Sequence, residues 1–371
     1  MSDGTPKAAY EIAVVRGDGI GPEVCEAGLQ ALAAALPDPA KLSLKEYPAG
    51  AGCYQETGVA FPETTFEACR DADAIFHGAA GIPGVTYRDG TEAGLDFGLQ
   101  LRFRLDLYAN IRPIKLHPGI VSALRHFEPG SIDYVILREN TEGFYAARGG
   151  GNVVRGEIAS DTSIITRAGT ERIVRQAFEL ARTRNGAPRD GKKRVTVCDK
   201  ANVLRSYAFF RKVATEVAEN YPDVELDFAL VDAMTVHLVK RPDFYDVIVT
   251  ENMFGDIISD LGAATVGGMG MSPTAEIGAQ NGFFQAAHGS APDIAGQGIA
   301  NPLGTILAGA MMLEWLGKRH RDNVLMDAAA RIDRAVGKVI EDPAMLPGDL
   351  GGRATSAAIT EAVCRECRQP A

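Results

Sequence analysis

The chain has 371 residues, a length that suits about two domains. Hydrophobic residues make up 46% and charged residues 23%, which excludes an extended disordered chain. The net charge of −10 argues against a nucleic-acid partner, which needs a basic face, but allows a locally positive pocket for small anions. The six cysteines are scattered and no run of about 20 apolar residues occurs, so we expect a cytoplasmic protein with no membrane partner.

Short apolar runs alternate with amphipathic stretches, which predicts an α/β fold with a largely parallel sheet. Pro22 suits the first turn of a helix, and Thr170 is the predicted N-cap of a later one. Domain junctions are expected near residues 107 and 266. The predicted strands are residues 11–15, 72–76, 132–137, 194–198 and 245–250.

The first predicted strand leads into a glycine-rich segment, Gly17-Asp-Gly-Ile-Gly21. It fails the dinucleotide-binding pattern, because the third glycine of that pattern is replaced by Pro22 and no strand ends in an acid about 20 residues on. Two interpretations stay open. The segment is a tight strand-to-helix turn, or it faces a cofactor or substrate at the start of a helix.

The segment from residue 102 to residue 138 carries six cations and three acids, a net charge of +3 within an acidic chain. Converging arginines would suit a dicarboxylate or tricarboxylate, because a planar guanidinium binds a carboxylate through two hydrogen bonds. Spacing alone leaves solvated surface arginines equally open. The arginines that enter the argument below are Arg102, Arg112 and Arg138.

Asp256 and Asp260 are four residues apart, so on a helix their carboxylates share one face. Like charges in this position repel each other unless a cation lies between them, and carboxylate oxygens suit a hard divalent ion. Asp232 is a third carboxylate that follows a strand-like run. The other interpretation of the pair is an exposed acidic helix start.

Three further places could serve catalysis or cofactor binding. Lys200 directly follows a predicted strand, and a lysine held near cations and away from water can act as a base. Tyr145 could be a general acid or a packed aromatic ring. The segment from His288 to Asp293, with Asn301, could hold a nucleotide or could be a surface turn.

Six motifs, in order, resemble those of the β-decarboxylating dehydrogenases, the family of isocitrate, 3-isopropylmalate, homoisocitrate and tartrate/D-malate dehydrogenases. The resemblance extends over nearly the whole chain. The motifs are Leu105-Asp-Leu-Tyr-Ala-Asn-Ile-Arg-Pro113, Arg138-Glu-Asn-Thr-Glu-Gly143, Asp199-Lys-Ala-Asn202, Val231-Asp-Ala-Met234, Phe254-Gly-Asp-Ile-Ile-Ser-Asp260 and His288-Gly-Ser-Ala-Pro-Asp-Ile-Ala-Gly296.

The resemblance implies the non-Rossmann, two-domain α/β fold of isocitrate and isopropylmalate dehydrogenases. The cofactor-side domain is then discontinuous, comprising residues 1–107 and 267–371, and the central domain comprises residues 108–266. It also implies a homodimer with shared active sites, in which the central domain forms the interface and an arm near residues 150–165 joins the partner subunit.

The resemblance further implies a role for each group of candidate residues. The substrate carboxylates are bound by Arg102, Arg112 and Arg138. The ligands of Mg²⁺ or Mn²⁺ are Asp256, Asp260 and the partner subunit's Asp232. The base is the partner subunit's Lys200. The acid is Tyr145, which belongs to the same chain as the arginines. The cofactor contacts are His288, Gly289, Ser290, Ala291, Asp293, Asn301 and Asn202.

Cofactor choice follows from two positions. In family members that use NADP, a lysine and a tyrosine stand where this chain has Asp293 and Ile294. A carboxylate accepts hydrogen bonds from ribose hydroxyls and repels a 2′-phosphate, so we predict NAD. Gln285 also departs from the glutamate that is common in this part of the family.

Residues before Arg102, including Leu99, should line the pocket for the substituent at C3 of the substrate. Isocitrate enzymes of the family have a Ser-x-Asn pattern here, which binds a third carboxylate, whereas this chain has Asp96 and Gly98. Because an acid beside a carboxylate is unfavourable, we expect an apolar or absent substituent. The predicted reaction is oxidative decarboxylation of a (2R)-malate-type 2-hydroxy acid, resembling 3-isopropylmalate or D-malate/tartrate. Isocitrate or homoisocitrate dehydrogenase, an enzyme that does not decarboxylate, and a non-catalytic regulatory subunit are the alternatives.

Overall fold

The computed structural model describes residues 4–88, 90–148 and 150–369. Its strands are β1 (Tyr10–Gly17), β2 (Leu42–Glu46), β3 (Ala74–Ala79), β4 (Ala109–Lys115), β5 (Asp133–Glu139), β6 (Asn152–Val154), β7 (Ile158–Ser160), β8 (Arg194–Asp199), β9 (Glu225–Leu230), β10 (Val247–Thr250), β11 (Pro273–Ile277) and β12 (Gly282–Ala286). Its helices are α1 (Gly21–Ala35), α2 (Ala51–Thr57), α3 (Glu63–Asp71), α4 (Asp96–Arg104), α5 (Arg167–Thr183), α6 (Arg205–Ala218), α7 (Val231–Lys240), α8 (Asn252–Thr265), α9 (Leu303–His320), α10 (Asn323–Val339) and α11 (Ser356–Cys367).

The chain divides into two compact units. The first comprises Met1–Leu107, His117–Val121 and Gly267–Ala371, and the second comprises Tyr108–Leu116 and Ser122–Val266. Residues 117–121 thus lie in the first unit, although the sequence placed them in the central domain. Gly119 explains this, since at φ +78° it approaches the carbonyl oxygen of Ile340 so closely that an added Cβ would lie 1.9 Å away.

The first unit contains strands in the order β2-β1-β3-β12-β11. The pairs β1–β2, β1–β3 and β3–β12 are parallel, and β11 closes the order as the antiparallel partner of β12. Residues of β3 are buried throughout, as expected for a strand covered on both faces. Helices α1 and α9 pack against each other and against β3.

The second unit contains strands in the order β4-β5-β10-β8-β9. β4 is antiparallel to β5, and the remaining pairs are parallel. The predicted class, α/β with a largely parallel sheet, is confirmed, and each predicted strand is present with ends shifted by a few residues. None of the helices in the part of the chain that the structure describes is long and apolar enough to cross a membrane.

One local feature differs from the sequence prediction, and a second gives the structure of the predicted arm. The N-cap of α5 is Thr166, whose hydroxyl accepts from the backbone N–H of Gly169 at 3.0 Å, whereas the predicted cap, Thr170, lies buried inside the helix. Thr166 is selected because the Glu142 carboxylate also accepts from its backbone N–H, a contact between distant residues. β6 and β7 form an exposed antiparallel hairpin within the segment predicted as an arm.

Candidate active site

The candidate site of the second unit lies where its parallel strands end. β5, β10, β8 and β9 run in one direction, so their carboxyl ends meet at one edge of the sheet. Arg138 is near the end of β5, Lys200 directly follows β8, and Asp232 is in the first turn of α7. α8 begins just after β10 and carries Asp256 and Asp260.

Two buried arginines converge on Asp256. Nη1 of Arg138, a residue only 2% exposed, donates to Oδ1 of Asp256, and Nη2 of Arg112 lies 3.2 Å from the same oxygen. Nη1 of Arg112 lies 3.6 Å from Oδ1 of Asp260 and donates to Oγ of Ser259 at 2.6 Å. Because a guanidinium stays protonated, the cluster holds two permanent positive charges beside two carboxylates.

Asn252 fixes the position of Arg138, a role that the sequence pattern did not reveal. Its Oδ1 accepts from Nε and Nη2 of Arg138 at 2.9 and 2.6 Å, and its Nδ2 donates to the carbonyl oxygen of Glu142 at 3.1 Å. Gly255 lets α8 approach Arg138, because an added Cβ would lie 2.7 Å from that side chain. A glycine inside a helical pattern was the available signal for this close packing.

Two buried carboxyl groups, also absent from the predicted set, are near residues of this cluster in the chain: Glu251 precedes α8, and Glu139 follows Arg138 on β5. Glu251 caps α8 and accepts from the backbone N–H of Phe254 at 2.7 Å; burial raises the pKa of its carboxyl, and the backbone donors oppose the rise. Burial likewise raises the pKa of Glu139 to about 7, against hydrogen bonds from Thr141. Glu251 thus stabilises the start of α8, and Glu139 stabilises the segment that follows β5.

Tyr145 lies beside the same carboxylate. Its Oη donates to Oδ2 of Asp256 at 3.0 Å, and the guanidinium carbon of Arg138 lies 5.3 Å from its ring centroid. Gly143, at φ +72°, precedes it and donates its backbone N–H to the carbonyl oxygen of Ile164 at 2.8 Å. The phenol of Tyr145 is thus a polar group of the cluster.

Lys200 and Asp232 form a separate pair, with Nζ 2.7 Å from Oδ1. The hydrogen bond from Lys200 lowers the pKa of Asp232. The buried neighbour, Asp199, accepts from Nε and Nη2 of Arg211 at 2.8 and 2.7 Å and from the backbone N–H of Ala201 at 2.9 Å. These bonds hold the turn on which Lys200 lies.

The acids of α8 fit a hard divalent cation. Asp256 and Asp260 lie one turn apart, and their side chains are 38% and 60% exposed. Burial raises the pKa of Asp260, Arg112 opposes that rise and the Asp256 carboxylate adds to it. Oxygen donors of this kind suit Mg²⁺ or Mn²⁺. Across residues 4–88, 90–148 and 150–369, no group of three or more His, Cys, Asp or Glu side chains is placed to hold a metal ion, so Asp232 does not join this pair within one chain.

In the first unit, Arg102 lies in a buried ion pair. Its Nε and Nη2 donate to Oε2 and Oε1 of Glu276 at 3.0 and 2.8 Å. Leu99 lies one turn earlier on α4 and is half-buried. Glu276 belongs to β11, and no local pattern in the sequence pointed to it.

The predicted cofactor segment is fixed to the glycine-rich turn after β1. The carbonyl oxygen of Ser290 accepts from the backbone N–H of Ile20 at 2.8 Å, and its hydroxyl donates to the carbonyl oxygen of Gly81. An added Cβ on Gly19 would lie 2.1 Å from the carbonyl oxygen of Ser290. Of the two interpretations of the glycine-rich segment, these contacts support the tight strand-to-helix turn.

The remaining surface of this segment is polar and accessible. Gly289 and Asp293 are exposed, and Ala291 is half-buried at φ +36°. Nδ1 of His288 lies 2.9 Å from the carbonyl oxygen of Gly289, and burial lowers the pKa of this histidine. Its Nε2 is buried with no hydrogen-bond partner within the described part of the chain, an unmet polar atom that fits a polar cofactor.

The two predicted asparagine contacts have different surroundings. Oδ1 of Asn301 accepts from the backbone N–H of Leu303 at 3.0 Å, and its Nδ2 donates to Oδ2 of Asp349 at 3.1 Å. Asn301 therefore orders the start of α9. Asn202 lies in the second unit, exposed in the turn after β8.

Comparison with known proteins decides the family. The model of the isocitrate/isopropylmalate dehydrogenase family matches residues 11–366. The chain belongs to that family. This family member is 42% identical over 362 residues to the 3-isopropylmalate/3-methylmalate dehydrogenase of Methanocaldococcus jannaschii, covering 97% of this chain and 99% of that protein. It is 43% identical over 364 residues to a probable tartrate dehydrogenase/decarboxylase of Agrobacterium vitis, covering 96% and 97%.

The solved structures agree with the family model. The crystal structure of isocitrate dehydrogenase from Methylococcus capsulatus matches with a TM-score of 0.84 at 38% identity, covering 97% of this chain and 100% of that one. The resemblance stated from the six motifs, the two-domain α/β fold and the reaction class are thereby confirmed. This isocitrate/isopropylmalate dehydrogenase family member is a decarboxylating oxidoreductase.

Proposed function

We propose that this protein oxidises and decarboxylates a (2R)-malate-type 2-hydroxy acid with an apolar or absent C3 substituent, using NAD and Mg²⁺ or Mn²⁺. The convergence of Arg112, Arg138 and Tyr145 on Asp256 carries the proposal. Relatives named for 3-isopropylmalate, 3-methylmalate and tartrate align over nearly their whole length. A regulatory subunit is the weaker alternative, because such subunits tend to lose catalytic residues that this chain retains.

The arginines orient the substrate. Arg112 and Arg138, with Arg102, bind its two carboxylates through paired N–H donors. Ser259 and Asn252 restrict the two arginines of the second unit, so little conformational entropy is lost when the substrate binds.

Asp256 and Asp260, with the partner subunit's Asp232, would hold the divalent ion. When bound, it would supply Lewis-acid polarisation of the substrate oxygens and electrostatic stabilisation of the negative charge that develops on decarboxylation. Three carboxylates suit a hard cation, and the two carboxylates that one chain provides, Asp256 and Asp260, already lie one helical turn apart.

Proton transfer is assigned to two side chains. The partner subunit's Lys200 takes the proton from the C2 hydroxyl, and NAD, when bound, would supply the acceptor for the hydride that leaves C2. Loss of CO₂ from the resulting 2-keto acid leaves an enolate, and Tyr145 donates its hydroxyl proton to the carbon that carried the carboxylate, which gives the keto product. The products are a 2-keto acid, CO₂ and NADH.

The proposal includes a homodimer with shared sites. In the second unit, the arm and two helices expose apolar side chains, which suits burial against another subunit. These are Val153, Val154, Ile158, Val236, Val239 and Ile257. In such a dimer, the Lys200–Asp232 pair of one chain serves the Asp256–Asp260 pair of the other.

The function is tested with a substrate panel of D-malate, tartrate, 3-isopropylmalate, isocitrate and homoisocitrate, each with NAD and Mn²⁺. We expect a malate-type dianion to give the highest kcat/KM and to release CO₂ and NADH in a one-to-one ratio. NADH without CO₂ would contradict the decarboxylating mechanism for this chain. Absence of turnover with every acid would contradict the proposed function.

Asp293 is the proposed determinant of cofactor choice, and replacing Asp293 by Lys together with Ile294 by Tyr should favour NADP. The change removes a carboxylate that repels a 2′-phosphate and supplies a cation, so the NADP/NAD ratio of kcat/KM should rise by about 100-fold, or ~2.7 kcal/mol. Asp293→Asn alone is the control and should give a smaller rise. Because Ile294 packs against Ile20 and Val24, thermal denaturation checks the fold. An unchanged ratio in a folded variant would refute the assignment.

A further inference from the structure

Glu276 is a buried acid in the first unit that no motif of the sequence explains. It is 1% exposed, and all residues of β11 are buried around it. A buried carboxylate needs a cation and hydrogen bonds to offset its lost hydration. Arg102 supplies both, through two roughly parallel N–H donors at 3.0 and 2.8 Å.

This pairing changes what Arg102 offers to a substrate. The guanidinium has five N–H donors, and one of its two-donor edges, Nε with Nη2, is directed at Glu276. The ion pair has no net charge, so Arg102 contributes donors and orientation but no additional positive charge. A third substrate carboxylate would therefore meet no compensating cation at this residue.

Gln285 adds a second observation. Its Nε2 donates to Oε1 of Glu276 at 3.5 Å, and the two residues are diagonal neighbours on one face of the β11–β12 pair, since Thr274 lies opposite Gln285 and Phe283 opposite Glu276. A glutamate is common at position 285 in the family that the chain resembles. Here the carboxylate is on the adjacent strand instead, where it forms the paired contact with Arg102.

Asp96 adds a third observation. It is on α4 with Arg102 and Leu99, and its Oδ2 accepts from Oη of Tyr87 at 3.1 Å and from Nε2 of Gln100 at 2.5 Å. The helix expected to line the C3 pocket thus carries an acid in its first turn and an arginine neutralised by Glu276. Both features disfavour an anionic C3 substituent.

We propose that Glu276 is a specificity-determining residue, which neutralises Arg102 and so restricts the substrate to malate-type dianions without a third carboxylate. This inference rests on the proposed function and deepens it by naming the one residue that selects for the charge of the substrate. Glu276 acts through Arg102 and is not itself a catalytic residue.

The test is Glu276→Gln, which keeps the shape of the side chain and removes its charge. The ratio of kcat/KM for isocitrate to that for D-malate should rise by about tenfold or more, with the larger part of the change in KM for isocitrate. Asp322→Asn is the matched control. It removes the charge of another buried acid of the first unit, which is paired with Lys41 at 3.0 Å, and it should leave the ratio unchanged.

The unaltered protein provides a second readout if Glu276→Gln does not fold. As competitors of D-malate, isocitrate should bind about tenfold more weakly than 3-isopropylmalate. Equal competition, or an unchanged ratio in a folded Glu276→Gln variant, would overturn the inference while leaving turnover of D-malate intact. Absence of turnover with all 2-hydroxy acids would instead overturn the proposed function.

Discussion

Replacing Lys200 with alanine should lower kcat by about 10²–10⁴-fold, the usual contribution of a positioned general base. The ammonium group of Lys200 is paired with the exposed carboxylate of Asp232, so the substitution removes a partly exposed ion pair and no contact of the hydrophobic core. Circular dichroism and thermal denaturation should therefore match the unaltered protein. Full activity would exclude Lys200 as the base.

Sharing of sites between subunits gives this prediction a stronger form. Mixed dimers of Lys200→Ala and Asp256→Asn subunits contain one complete site, because the first subunit keeps its α8 acids and the second keeps its Lys200–Asp232 pair. Random reassortment of two inactive preparations should restore about one quarter of the normal activity, since half of the dimers are mixed and each has one of two sites.

The matched control for reassortment is a mixture of Lys200→Ala with Asp232→Asn. Both changes fall in the pair that a chain would donate, so every site in every dimer stays defective and activity should not return. Native mass spectrometry would establish that mixed dimers form. If they form from Lys200→Ala and Asp256→Asn without any recovery, the sites are not shared in the proposed way.

Asp256→Asn should have the second large effect, a loss of divalent-metal affinity that exceeds the roughly 10–100-fold cost of losing an outer-sphere partner. The same change should lower the Tm of the metal-free protein by several degrees, because Arg138 and Arg112 lose the carboxylate they share. Calorimetric titration with Mn²⁺ and denaturation in a chelator measure the two effects separately.

Asp260→Asn separates metal binding from stability. Asp260 is the more exposed acid, and Oδ1 lies 3.6 Å from Nη1 of Arg112, so its loss should weaken Mn²⁺ binding with little change in the metal-free Tm. Unchanged Mn²⁺ affinity in both variants would contradict the proposed metal site.

The sequence pattern was sufficient where spacing alone fixes geometry. Alternating strand and helix patterns predicted the α/β class, and the four-residue spacing of Asp256 and Asp260 placed both on one face of α8. The predicted N-cap of α5 was wrong because Thr166 and Thr170 both suit a cap, and a contact with Glu142 decides between them. Local propensity does not contain that information.

Partners far apart in the chain were the main part that could not be predicted. Glu276 is 174 residues from Arg102, and Asn252 is 114 residues from Arg138, so neither pair leaves a local periodic signal. The motifs predicted which residues belong to the candidate site. Only packing of the folded strands and helices shows which atoms each of them contacts.

The attachment of the predicted cofactor segment, residues 288–293, has an evolutionary consequence. Its buried side, through Ser290, is fixed to the turn at Ile20 and to Gly81, whereas Asp293 on the other side is exposed. Selection can therefore exchange exposed residues of the segment without altering its attachment. Under the proposed function, cofactor preference can then diverge between descendants of this chain by a few surface substitutions, while Gly19 of the turn stays constrained by its contact with Ser290.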